Sequence, residues 1–140
     1  MKKNALISVS SMQSKQEGDT IEVVTPGSFY KKENCYYVVY DETKISGMEG
    51  TTTTFKINSK DNKFSLIRVG TTTTKMEFQK SSGDVSLYNT PYGTLELKID
   101  TKDLKINIDD QGGNIFVNYH MSVAGQKPQD TFLKINIKAQ

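Results

Sequence analysis

The sequence predicts an all-β chain, a closed antiparallel up-and-down β-barrel of about eight to ten strands, and three observations carry that prediction. Apolar and polar residues alternate through nearly all of the 140 positions, which puts side chains two apart on one face, the period of a strand. Turn chemistry interrupts the alternation about every ten residues, and no stretch carries the spacing of an amphipathic helix. Threonine, isoleucine and valine supply 35 of the 140 residues, and such β-branched side chains suit a pleated surface.

The strands follow in order. Residues 4–14 form the first, with Ala5, Ile7 and Val9 on one face, and 15–19 turn the chain. The second, 20–31, is interrupted by Pro26-Gly27; proline removes a ladder donor, so a bulge or bend is expected there. After a turn at 31–34, residues 35–42 make the third strand. Its faces, Cys35/Tyr37/Val39/Asp41 and Tyr36/Val38/Tyr40/Glu42, are about equally apolar, so alternation leaves its inward face open. A loop at 43–50 with Gly47 and Gly50 leads to strand 51–58, a polar turn at 59–62 and strand 63–69. Gly70 begins a tight return into strand 73–80. Ser81-Ser82-Gly83-Asp84 then turns the chain into strand 85–90, and Pro91-Tyr92-Gly93 makes the next turn.

From 94 to 109 the alternation runs through Ile99 and resumes at Leu104, Ile106 and Ile108, with Thr101-Lys102-Asp103 between, which reads as two strands or one bent strand. Parity favours the bend: with an even count the last strand returns antiparallel onto the first and removes both edges. Gly112-Gly113, strand 115–123, a loop at 124–130 and strand 131–138 complete about ten strands in one domain, 1–140. On this register Met76, Phe78, Leu95, Leu97 and Ile99 point inward with Ile115, Val117, Tyr119, Leu133, Ile135 and Ile137, while Glu77, Lys98, Lys134 and Lys138 point out. The segment Gly50-Thr51-Thr52-Thr53-Thr54 recurs twenty residues later as Gly70-Thr71-Thr72-Thr73-Thr74; threonine's fit to strands accounts for it better than a duplicated hairpin.

Composition limits function. A 140-residue chain can bury roughly 68–70% of its unfolded surface without disulfides or metals. Eighteen basic against sixteen acidic residues leave a net charge of +2, too weak a field for a dedicated nucleic-acid binder. Cys35 is the single cysteine, which precludes an intramolecular disulfide and points to a reducing compartment, the cytoplasm. Lys2 and Lys3 resemble the start of a signal peptide, but Ala5-Leu6-Ile7 is too short an apolar run for export. No apolar run approaches the roughly 18 residues of a spanning helix, so no membrane partner is expected.

Tyr37-Val38-Val39-Tyr40-Asp41-Glu42, Thr53-Thr54-Phe55-Lys56-Ile57, Arg68-Val69-Gly70 with Met76 and Phe78, and Tyr88-Asn89-Thr90-Pro91-Tyr92-Gly93 resemble, in that order and over essentially the whole chain, the YwiB-like proteins of Firmicutes. The resemblance implies a calycin-like, lipocalin-type β-barrel and supplies no activity, because the family is a domain of unknown function. Such proteins can be encoded beside an arginyl-tRNA synthetase, which through the resemblance hints at translation.

Strand direction sorts the candidate residues. If the third strand runs upward, Glu42 lies at its top, and Thr51–Thr54, Arg68, Tyr88 and Thr90 reach the same rim, whereas Lys56 falls towards the other end. Arg68 shares a face with Phe64 and Leu66; if that face is internal, burying a cation requires a partner. Glu42 is the candidate partner, since guanidinium and carboxylate can pair bidentately, and such a pair could anchor a carboxylate or phosphate. Tyr40, Tyr88 and Tyr119 could line a pocket with an apolar body and a polar tip. The candidate ligand residues are therefore Tyr40, Glu42, Arg68, Tyr88 and Thr90. Against each stands a bland reading: a structural ion pair, or tyrosines that fill the core.

His120 is the only histidine, which excludes a multi-histidine metal site, and it is expected to face outward beside Tyr119 and Met121. Cys35 would act as a nucleophile only beside an activating base. No motif with a catalytic mechanism is present, so no catalytic residue, metal or cofactor is assigned and the chain reads as non-enzymatic. The favoured reading is a cytosolic barrel that binds a small ligand, an anion among the candidates, at one rim. The alternative is an RNA- or translation-associated accessory module, for which Tyr and Phe interleaved with lysines offer stacking surfaces but the even charge offers no support. Oligomeric state is not encoded in any feature above.

Overall fold

The alternating sequence becomes ten strands, β1 (Lys2–Gln13), β2 (Thr20–Lys32), β3 (Cys35–Asp41), β4 (Thr51–Asn58), β5 (Lys63–Gly70), β6 (Thr74–Gln79), β7 (Gly83–Thr90), β8 (Gly93–Asp109), β9 (Gly112–Val123) and β10 (Gln129–Ala139). The structure, a computed structural model, describes residues 2–13, 20–44, 48–80 and 83–140. The expected turn at 15–19, Gly47 and Ser81-Ser82 lie outside the described residues. All ladders are antiparallel in one sheet of order β6-β5-β4-β3-β2-β1-β10-β9-β8-β7. The terminal strands meet as parity requires, Ile7 opposite Ile137 and Val9 opposite Ile135.

β8 is one bent strand. Its register against β9 shifts between Thr101, which faces Tyr119, and Asp103, which faces Asn118, so Lys102 is the extra residue of a bulge. The bulge restores the inward phase, which is why Ile99 and Leu104, five apart, are both core residues. At Pro26-Gly27 the ladder of β2 with β1 continues unbroken, while the ladder with β3 stops at Ser28 opposite Val39. Proline has no N–H to offer β3. A Cβ on Gly27 would lie 2.7 Å from the Val39 carbonyl oxygen and 3.1 Å from the Tyr40 Cβ, so only glycine permits this close crossing.

The open end of the sheet lies in mid-chain. Between β6 and β7 the described residues form no ladder beyond a single bridge, Thr73 with Asn89, whose two N–H···O bonds are each 2.9 Å. Further along, side chains replace strand pairing: the Ser86 hydroxyl donates to the Lys75 carbonyl at 2.5 Å, the Thr74 hydroxyl to the Leu87 carbonyl at 3.3 Å, and the Glu77 N–H to an Asp84 carboxylate oxygen at 3.4 Å. β7 alternates exposed and half-buried residues with no fully buried one, so polar side chains wedge the seam of a nearly closed barrel.

The barrel centre is packed. Phe29, Phe55, Phe64 and Phe78 are among its fully buried side chains. A chain of ring contacts runs Tyr40–Phe55–Phe64–Phe78–Tyr119 with centroids 4.9–5.6 Å apart. Its last step, from β6 to β9, joins strands that are not neighbours in the sheet. The expected inward set is buried except Leu95, which is 40% exposed. It pairs with Tyr88 on β7, but the β9 ladder begins only at Leu97, so Leu95 stands on a stretch of β8 without a second neighbour strand.

Leu97 is 1% exposed and the adjacent Lys98 is exposed. Leu97→Ala is expected to destabilise by about 2–5 kcal/mol and Lys98→Ala by less than about 0.5 kcal/mol. Chemical denaturation of both variants checks this, and coincident midpoints would contradict the inward register of β8.

Candidate functional site

Partners decide the orientation of β3 that alternation left open. Tyr36, Val38, Tyr40 and Glu42 are all buried. Each inward tyrosine finds a partner for its hydroxyl: Tyr36 donates to Asp110 at 2.7 Å at one end of the barrel, and Tyr40 bonds Glu42 at the other. Outward, Tyr37 stacks on Tyr30 with centroids 5.2 Å apart.

At the rim, Glu42 presents a carboxylate whose side chain is only 2% exposed. Such a charge needs hydrogen bonds as well as a counter-ion. The Thr53 hydroxyl donates to Oε2, the Tyr40 hydroxyl also reaches the carboxylate, and Arg68 Nε lies 3.9 Å from Oε2. Arg68 reaches this place because β5 continues the inward row of Phe64 and Leu66, and Thr53 because it pairs directly with Arg68 and with Tyr40. At 3.9 Å the ion pair lacks the two parallel hydrogen bonds expected of a guanidinium–carboxylate fork. Arg68 Nε is buried and makes no hydrogen bond among the described residues.

The repeated threonine segments build this rim. Gly50 and Gly70 adopt φ of +89° and +141°, and a Cβ on Gly70 would lie 2.8 Å from the Thr51 Cα. The two segments therefore run side by side, the Thr72 N–H donating to the Thr51 hydroxyl at 3.1 Å. Thr51, Thr53, Thr72 and Thr74 are buried and line the barrel end with hydroxyls.

A cavity of about 190 Å³ opens above the ion pair. Val9, Val23, Leu66 and Leu133 supply apolar walls, and Ile21 and Met48 border it. Ile21 is 59% exposed. The polar groups are Ser11, Tyr40, Glu42, Arg68 and Tyr119. Burial, and after it the Glu42 charge, holds the Tyr40 hydroxyl far above the ordinary tyrosine range. Burial pushes Tyr119 up to about 12, with the Arg68 charge opposing. Both hydroxyls are therefore neutral donors at ordinary pH.

Of the residues singled out from sequence, Tyr40, Glu42 and Arg68 come together here, joined by Tyr119. Tyr88 packs half-buried against the core from β7, and the Thr90 hydroxyl donates to the Gly93 carbonyl at 2.9 Å in the β7–β8 turn; neither lines the cavity. His120 lies half-exposed on the face of β9 opposite Tyr119, its Nε2 against Asp130 Oδ1, with Lys102 Nζ 3.8 Å from the same oxygen. Cys35 is half-buried at the start of β3, on the face away from the core. Among the described residues no three His, Cys, Asp or Glu side chains gather as a metal site. Sequence reasoning brought Thr53 to this rim without naming it a site residue, and missed the walls from β1, β2 and β10; the cross-strand pairing that brings them in is not visible in any local motif.

A family model described as a domain of unknown function, DUF1934, matches residues 7–135. The chain is 27% identical over 109 residues to the "Uncharacterized beta-barrel protein YwiB" of Bacillus subtilis (strain 168), spanning 78% of this chain and 74% of that protein. The crystal structure of the ywiB protein from Bacillus subtilis superposes with a TM-score of 0.86 at 23% identity, covering 99% of this chain and 93% of that one, which shows the same fold.

Two outcomes follow from the rim's charges. Arg68→Ala strands a buried carboxylate and is expected to cost about 3–5 kcal/mol, whereas the double change Arg68→Met with Glu42→Gln removes both charges and is expected to cost clearly less; urea denaturation ranks the two. An unfolded tyrosine ionises near pH 10, whereas Tyr119, through burial, and Tyr36, chiefly through its bond to Asp110, are raised to about 12 in the fold. Between about pH 10 and 12 the unfolded chain therefore releases protons that the folded chain keeps, so stability present below pH 10 falls as pH rises. Denaturation midpoints measured across that window should decline, and less steeply for Tyr119→Phe.

Proposed function

The chain belongs to the DUF1934 family, a domain of unknown function, and we propose that it acts by binding, without catalysis, a small ligand that carries negative charge. One observation carries the reading: Arg68 lines a cavity at the barrel rim, and its buried Nε has no hydrogen-bond partner among the described residues. A buried donor left unbonded costs free energy, and an oxygen of an anion entering the cavity relieves that cost. The cavity's predominantly apolar walls with a few converging polar groups fit a small-molecule site. Cys35 and His120 lie on the outer face, away from the cavity. The lone cysteine supports a cytosolic setting.

A thermal-shift screen of anionic metabolites on the wild type and on the Arg68→Met, Glu42→Gln double variant tests the reading. A ligand at 100 times its Kd stabilises by about 2.7 kcal/mol. The expected result is a hit that raises the wild-type melting temperature and leaves the double variant unmoved. A hit that stabilises both equally would remove Arg68 from the site.

A further inference from the structure

We infer that the rim cavity is built for a compact monocarboxylate with a short apolar tail, its carboxylate held inward on Arg68 and Tyr119 and its tail lying towards Ile21 and Met48; the inference rests on the small-anion reading above. Four observations lead to it. The first is charge. Among the described residues of the lining Arg68 is the one cation and Glu42 the one anion, so their charges balance. The Glu42 carboxylate lies 3.9 Å from Arg68 Nε. One added negative charge meets one attraction and one repulsion at similar distance, and hydrogen bonding to the guanidinium tips the balance. A phosphate dianion doubles the attraction and the repulsion alike, but it gives up more hydration than a monoanion on entering a partly apolar site.

The second observation is the shape of the donors. A guanidinium edge offers N–H groups in one plane, which match the two coplanar oxygens of a carboxylate better than a tetrahedral phosphate crowded by Glu42. The Tyr119 hydroxyl, close enough to feel the Arg68 charge and kept neutral by burial, is a second donor with no claim on Glu42. The third is depth. The Arg68 side chain is 18% exposed and Tyr119 6%, while Ile21 is 59% exposed. Ile21 thus marks the mouth, with Arg68 and Tyr119 further in, and the apolar wall runs from Leu66 and Leu133, 3% and 5% exposed, out to Ile21, which lets an amphiphile lie along it with its head on Arg68 and Tyr119. The fourth is size. A cavity of about 150 Å³ is enough for benzene, so about 190 Å³ fits about six to ten non-hydrogen atoms. Below the rim the aromatic chain from Tyr40 to Tyr119 blocks any longer path.

The experiment holds the tail constant and changes the head. Binding of hexanoate, hexyl phosphate and hexanamide to the full chain is measured by calorimetry and by NMR shifts of the Arg68, Tyr119 and Val23 amides. Hexanoate is expected to bind at least tenfold more tightly than either of the others, with shifts confined to the rim. Hexyl phosphate binding as tightly as hexanoate would overturn the carboxylate assignment and leave the small-anion reading standing. Hexanamide binding as tightly would show that charge plays no part and overturn both. Arg68→Lys retains the positive charge beside Glu42, so it is expected to fold, and it loses the planar fork; it should weaken hexanoate at least tenfold. Tyr119→Phe should weaken hexanoate severalfold while leaving hexanamide less affected. Unchanged hexanoate affinity in both variants would place the carboxylate elsewhere and overturn the inference.

Discussion

A sheet of ten strands has two edges, and the architecture depends on how they are hidden. The β1–β10 ladder joins the chain ends and moves the problem to β6 and β7, strands joined by a short connection yet without a ladder between them. An unpaired strand edge invites association with other chains. Here the edge groups are answered by Ser86, Thr74 and Asp84, which reach across to backbone atoms of the facing strand, and by one true bridge at Thr73 and Asn89. Side chains spent on the seam cannot also fill the core, which is why β7 has no fully buried residue and why large rings from β4, β5 and β6 must span the interior to Tyr119.

That packing confines buried charge among the described residues to one end. With the centre filled by phenylalanines, a buried charge can persist only where hydroxyls and a counter-ion are at hand, and the inward threonines of the two repeated segments supply the hydroxyls at a single rim. Glu42 is stabilised there by Thr53, Tyr40 and Arg68 together. The arrangement is asymmetric: the carboxylate is well supplied with donors, while the arginine that accompanies it keeps an N–H unbonded among the described residues.

Much of this was legible in the sequence, and the exceptions have physical causes. Alternation and turn residues located all ten strands, since the period of two and the need for glycine or proline at turns are local properties. Parity resolved β8 as one bent strand because closure is a global constraint that counting alone can apply. The same counting brought Arg68 to Glu42, since strand direction determines which end of a barrel a residue reaches. It carried Tyr88 and Thr90 towards that rim too, but counting ends along strands says nothing of position around the barrel, and both belong to the seam rather than to the cavity. The inward face of β3 was illegible because Tyr and Val alternate on both sides; what separates them is that Asp110 and Glu42, distant in sequence from Tyr36 or belonging to the rim, accept the inward hydroxyls. The seam itself leaves no local mark, because Ser86 and Asp84 look like ordinary polar positions until their facing strand is known.

Access to the cavity follows from the same economy of backbone hydrogen bonds. Pro26 cannot donate to β3, and Gly27 lets β3 cross close against β2 just where their ladder ends. Beyond that crossing residues 20–27 keep only β1 as a ladder partner, so Ile21 and Val23 border the cavity without a strand closing over them from the β3 side. A regular β2 ladder would have carried pairing to the rim and sealed the space above Arg68. The proline that looks like a defect in an otherwise regular strand thus ends the β2–β3 ladder short of the rim, beside Arg68, the one cation among the described residues of the cavity lining.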